Sequence, residues 1–195
     1  MQPNPQNIRA FPTQHAFALW LRDNHNQCTE LWLKIHKKAS GLPTVTYAQA
    51  LDVALCWGWI DGLKHGFDET SFLQRFTPRK AKSIWSQLNV GHVQRLTLSG
   101  EMQPEGQRHV DAAKADGRWQ AAYASGRTME MPADLVAAVQ ANPQALALFN
   151  QLNAVNRYAL AFRLAQLKTE AGRRKRIADN VAKLARGETP YPNGN

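Results

Sequence analysis

The densest grouping of chemically useful side chains runs from Cys56 to Ser86, through the stretches CWGWIDG, RFTPRK and SIWS. It places Trp57, Trp59, Phe72, Phe76 and Trp85 close in sequence to Asp61, Arg75, Arg79, Lys80 and Lys82. Tryptophan offers a flat apolar face, and a guanidinium grips carboxylate or phosphate through two parallel N–H bonds. Trp57, Trp59, Asp61, Arg75, Arg79 and Trp85 therefore define a candidate ligand site, an aromatic-walled pocket for an anionic or aromatic small molecule. A helix starting near Ser83 would add free backbone N–H groups for an anion. The competing reading is a tryptophan-rich core in which Asp61 and Arg75 form a structural salt bridge. An enzymatic alternative uses Asp61 as acid or base, with Arg75 or Arg79 holding an anion. Cys56 would need a base and an electropositive setting to act as a nucleophile; at the end of an apolar helix it reads as a buried, inert thiol.

Other catalytic signatures are missing. There is no GxGxxG, GxxxxGK[ST], GxSxG or HExxH, and the six histidines are scattered with none two, three or four apart. Cys28 and Cys56 form no CxxC pair. No metal, no cofactor and no catalytic residue is assigned from sequence.

The 195 residues carry a net charge of +9, and its placement matters more than its size. Between Arg157 and Arg186 nine bases meet two acids, a net of +7, whereas the first 156 residues are nearly balanced. On a helical wheel Ile177, Val181 and Leu184 form the buried stripe of a terminal helix. Lys175, Arg176, Lys183 and Arg186 point away from it. They are candidates for phosphate contacts, giving weak, salt-sensitive nucleic-acid association as an alternative function; the competing reading is a solvated face. Arg173 falls about 40° from the stripe and Arg174 about 60°. Arg173 is therefore expected to find an acid or carbonyl partner.

The elements that must position these residues follow from periodicity and capping. Thr13 caps a helix to about Asn24, after ten loose residues. Thr29 to Lys37 alternates as a strand with Leu31, Leu33 and Ile35 on one buried face. Thr46 and Gln49 make a capping box, with Gly58 past the helix end. Residues 59–65 and 70–76 read as a β-hairpin with Asp61 opposite Arg75, Leu63 opposite Leu73, and Ile60, Phe72 and Phe76 on the other face. Asn89 caps a short helix that stops at Gly100, and Pro104 opens one that ends at Gly117. A linker at 124–131 precedes helices near 132–140, 143–152, 154–167 and 170–186, with Asn142 and Asn153 as caps.

The fold class expected is α+β: a small antiparallel β-sheet packed with helices over 1–125, a C-terminal helical module over 130–187 and a flexible tail over 188–195. With 44% hydrophobic and 20% charged residues the chain can build a core. Its longest uncharged apolar run, Val53 to Ile60, is far shorter than the ~20 residues that cross a bilayer. The N-terminal stretch lacks a basic region followed by an apolar one, so a cytoplasmic location is expected.

The succession TYAQALDVALCWGWIDG (46–62), FLQRFTPRKAKSIWSQLN (72–89), LSGEMQPEG (98–106), DGRWQAAY (116–123) and LKTEAGRRKRI (167–177) resembles the YdeI/OmpD-associated, or bacteriocin-protection, family. The resemblance implies the α+β fold with its helical terminal module. The family's names describe protection against bacteriocins or antimicrobial peptides and association with a porin; they describe no reaction. What they imply here is a non-catalytic binding or stress-protection protein. The chain departs from the pattern where Ala171 and Gly172 replace Glu-Thr, while Lys168, Arg173, Arg176 and Ile177 fit. If the family's glutamate pairs with a neighbouring base, that pairing is lost here or moved to Glu170, and Gly172 weakens the helix start by up to ~1 kcal/mol relative to Ala.

Overall fold

Thr13 and Thr46 start the first two helices as their sequence context requires. Thr13 accepts from the Ala16 N–H at the head of α1 (Gln14–Asn24). Thr46 and Gln49 satisfy each other's backbone N–H groups at the head of α2 (Tyr47–Cys56). Gly58 takes the positive φ of 72° that turns the chain out of α2. The computed structural model describes residues 2–124 and 129–193, so residues 125–128 of the expected linker lie outside the described residues. The chain divides into two compact units, Met1–Ala122 and Tyr123–Asn195.

The first unit is built on a four-stranded sheet of order β1-β2-β4-β3, from β1 (Ile8–Ala10), β2 (Leu31–His36), β3 (Trp59–Gly66) and β4 (Ser71–Pro78). The sheet is antiparallel apart from β1, which runs parallel to β2 with Ile8 beside Trp32. The first ten residues are thus not uniformly loose, because β1 finds backbone partners on the edge of β2. Leu31, Leu33, Ile35 and Phe76 face Phe17 and Leu21 of α1 and Ala50, Val53 and Ala54 of α2 in one core. Trp32, on the strand face opposite Leu31, Leu33 and Ile35, is also fully buried. Its indole N–H donates to Glu30, and His65 packs edge-on against its ring at 6.5 Å.

The hairpin register differs from the expected one by a single residue. Asp61 lies opposite Phe76, Ile60 opposite Thr77, and a bulge between Asp61 and Lys64 shifts the pairing again so that Leu73 meets His65. Residues facing across an antiparallel pair share a face, so this slip separates Asp61 from Arg75 and Ile60 from Phe76. Ile60 packs instead in a second core formed by α2, α3 (Gln87–Leu98) and α4 (Pro104–Ala115), around Leu51, Leu55, Trp85, Val93, Leu96 and Val110. The cap of α3 is Ser86, whose Oγ accepts from the Asn89 N–H; Asn89 is already inside the helix. No helix starts at Ser83, whose hydroxyl instead accepts from the Lys80 N–H.

The second unit is helical: α5 (Ala133–Gln140), α6 (Pro143–Gln151), α7 (Ala154–Ala165) and α8 (Glu170–Ala185). Asn142 and Asn153 cap α6 and α7 as expected, and Thr169 caps α8. Leu135, Val139, Phe149, Leu160, Leu164, Ile177 and Leu184 make the core. Burying each such side chain contributes about 1.5–3 kcal/mol. Together the two units give an α+β protein with a helical C-terminal region.

Candidate functional site

The six residues singled out in the sequence go to different places. Trp59 is 1% exposed in the sheet core, donates its indole N–H to the His25 carbonyl and meets Trp20 edge-on at 6.2 Å. Trp85 is 2% exposed in the second core, edge-on to Trp119 at 4.9 Å. The Arg79 guanidinium sits 3.7 Å above the Trp85 ring and donates to the Ile84 carbonyl, clasping the 79–85 loop. Arg75 does not pair with Asp61: its Nε donates to Glu30 at 2.6 Å. Asp61 accepts from the Tyr47 hydroxyl at 2.8 Å, and burial together with the Asp61 charge pushes the Tyr47 phenol well above its ordinary range. Of the six, Trp57 lines a cleft.

That cleft, of about 420 Å³, lies where the end of α2 meets α1 and the loop between α3 and α4. α1 supplies Gln14, His15 and Ala18; α2 and its cap supply Val53, Cys56 and Trp57; the loop supplies Glu101 and Gln103. Trp57 is half-buried and packs on the His25 ring at 4.9 Å. The loop is tied down by the Gln103 N–H, which donates to the Cys56 carbonyl, and by the Ser99 hydroxyl, which donates to Glu101 at 2.6 Å. Gly106 lets α4 approach the end of α2, since a Cβ there would stand 2.2 Å from the Cys56 carbonyl oxygen. Burial, then the Glu101 and Asp52 carboxylates, push the Cys56 thiol up to about 12. The thiol is thereby held in its neutral, weakly reactive form, and the cleft joins apolar Ala18, Val53 and Trp57 to polar Gln14, His15, Glu101 and Gln103.

Two clusters were not read from sequence. Asp52 on α2 joins His92 and Arg95 on α3, accepting from Arg95 at 2.6 Å and lying 2.8 Å from His92 Nδ1. The HxxR spacing at 92 and 95 was the available signal, but its partner is 40 residues away. Glu30 gathers Arg75, Trp32 and Asn7 on the sheet face opposite the Leu31, Leu33 and Ile35 side chains. Burial raises its carboxyl, but these donors outweigh that and hold it below the ordinary carboxylate range. Among the described residues no group of three or more His, Cys, Asp or Glu is placed to hold a metal ion. Nor is any helix of these residues long and apolar enough to cross a membrane.

In the C-terminal unit Arg173 makes the inward contacts its position demanded: two bonds to Asp134, at 2.6 and 2.8 Å, and one to the Leu164 carbonyl. Arg174 pairs with Glu170 at 3.0 Å. Lys175, Arg176, Lys183 and Arg186 are exposed, and Arg186 is engaged by Glu188 at 2.8 Å.

Residues 9–109 match a family described as Domain of unknown function (DUF8412), over slightly more than half of the chain. The chain belongs to this family. Residues 128–187 match the family described as Bacteriocin-protection, YdeI or OmpD-Associated, so the resemblance read in the sequence holds for the C-terminal helices. The pieces at 46–62, 72–89 and 98–106 fall within the DUF8412 match, which contains the Trp57 cleft. A search of curated proteins gave no match, and neither did a search of solved structures.

Proposed function

We propose that this is a non-catalytic binding protein whose small-molecule ligand seats in the Trp57 cleft. The observation that carries the reading is the half-buried Trp57 beside Val53 and Ala18 in a cleft of about 420 Å³, with His15 and Glu101 at its exposed edge. Such a volume lies within the range of small-molecule sites, and the polar groups of the lining can fix a ligand's orientation. Arg75 and Arg79, which favoured an anion, are occupied by Glu30 and by the Ile84 carbonyl and lie outside the cleft lining. A flat aromatic body carrying an amine suits the site: the ring against Trp57, the ammonium towards Glu101. The neutral Cys56 thiol and the Tyr47-bound Asp61 support binding without chemistry. The bacteriocin-protection description carried by the family matched at 128–187 names a protective role and no reaction, in keeping with a binding role. A cytoplasmic location goes with the reading.

Thermal shift and fluorescence titration with tryptamine, phenethylamine, indole and benzoate test it. The two amines should stabilise the chain and bind more tightly than indole, with benzoate inert. Trp57→Ala and Glu101→Gln should each weaken amine binding about tenfold. If no amine binds, or if Trp57→Ala leaves binding unchanged, the cleft is not the site.

A further inference from the structure

Within the C-terminal unit, α7, α8 and residues 188–190 line a polar, partly open cavity of about 170 Å³. α8 presents Arg176, Asn180 and Lys183 to it, at spacings of four and three residues that share one helix face, and α7 adds Arg163. Two carboxylates also line it, Asp179 and Glu188, but Glu188 is engaged by Arg186, which leaves positive charge in excess. Arg176 and Lys183 make no ion pair among the described residues. Asn180 is 9% exposed, and its Nδ2 is buried with no acceptor. A buried donor without a partner is uncommon in a folded chain and calls for an oxygen from elsewhere.

The cavity wall is fixed in place. Asn156, fully buried on α7, bonds both backbone groups of Tyr191, at 2.9 and 3.2 Å. Thr189 donates to the Tyr191 carbonyl at 2.7 Å, and the Arg163 guanidinium stands 5.5 Å from the Tyr191 ring centre. Residues 188–193 of the segment expected as a tail are thus held against α7 and α8.

We propose that this cavity binds a terminal phosphoryl group, with Asn180 Nδ2 donating to one oxygen and Arg163, Arg176 and Lys183 balancing its charge. Three cations and a neutral donor suit a dianion with three free oxygens better than a singly charged carboxylate. The volume admits a phosphoryl group on a short stem. The site is independent of the Trp57 cleft, which lies in the other unit.

Calorimetric titration of the full chain with inorganic phosphate and with glycerol 3-phosphate, beside sedimentation with phosphatidylcholine vesicles with or without phosphatidic acid, tests it. Saturable binding to either soluble probe, weakened about tenfold or more by Arg176→Gln, Lys183→Gln and Asn180→Leu, is expected. Asn180→Leu should at the same time raise the thermal midpoint, because it removes the orphan donor; loss of a purely structural contact would lower it. Binding confined to phosphatidic acid vesicles, lost in the same variants, places the phosphoryl group on a lipid and supports the proposal. No binding to any probe, or binding indifferent to the three substitutions, overturns it. So does binding to a short DNA duplex that these substitutions abolish while free phosphate gives no signal, which would assign α8 to nucleic acid.

Discussion

Replacing Gly106 by Ala should destabilise the first unit, although alanine is the better helix former. The added Cβ would lie 2.2 Å from the Cys56 carbonyl oxygen, 2.6 Å from that of Leu55 and 2.8 Å from the Cys56 carbonyl carbon. Carbon and carbonyl oxygen settle at about 3.3–3.6 Å, so α4 must retreat by roughly 1 Å from α2. The opposing atoms are backbone and cannot rotate aside. Overpacking of this kind costs about 1–3 kcal/mol, and the rigid neighbours place it at the upper end. Helix propensity returns up to ~1 kcal/mol, leaving a net loss of about 2 kcal/mol. Gly91, inside α3 with nothing within 4 Å of its Cβ position, is the matched control. Gly91→Ala should gain up to ~1 kcal/mol from propensity alone. All six tryptophans lie in the first unit, so urea unfolding followed by tryptophan fluorescence reports on that unit. With a slope of about 2 kcal/mol per molar urea, the midpoint should fall by about 1 M for Gly106→Ala and rise by up to ~0.5 M for Gly91→Ala. A Gly106→Ala midpoint equal to or above that of the parent chain refutes the close approach of α4 to α2.

Glu30→Gln should cost about 2 kcal/mol, since it weakens the charge-assisted bond to Arg75 in a partly buried setting. Folding holds the Glu30 carboxyl below its ordinary range, so its contribution is complete at neutral pH and disappears as pH falls through that range; the variant should flatten the acid limb of the fluorescence stability curve, and an unchanged limb would count against the pairing. Asp134→Asn, at a pair with both side chains near a third exposed or more, should cost about 1 kcal/mol or less by far-UV circular dichroism. Its effect should also fade in acid, because the hydrogen bonds from Arg173 hold the Asp134 carboxyl low. Cys56 should resist iodoacetamide at pH 8 in the native chain and react in urea, as followed by mass spectrometry; native labelling as fast as that of Cys28 would contradict its burial.

Sequence alone determined what depends on neighbours within about one helical turn. The caps at Thr13, Thr46, Asn142 and Asn153, the capping-box Gln49 and the exit at Gly58 each rest on contacts closed within a few residues, and all stand where the sequence put them. The inward aim of Arg173 was legible too, because helical periodicity fixes which side of α8 meets the core, although not that Asp134 would receive it. Distant partners were decided by the tertiary structure. A bulge and a one-residue shift moved Arg75 from Asp61 to Glu30, because the side-chain period of two in a strand turns every slip into a change of face. The same holds for Asp52 with His92, for Tyr191 with Asn156, and for Asn180 in its cavity: each depends on where two separate elements come to rest. The dense tryptophan and arginine segment was therefore visible as a composition, but its division between two cores, a loop clasp and one cleft follows from packing, which local spacing does not encode.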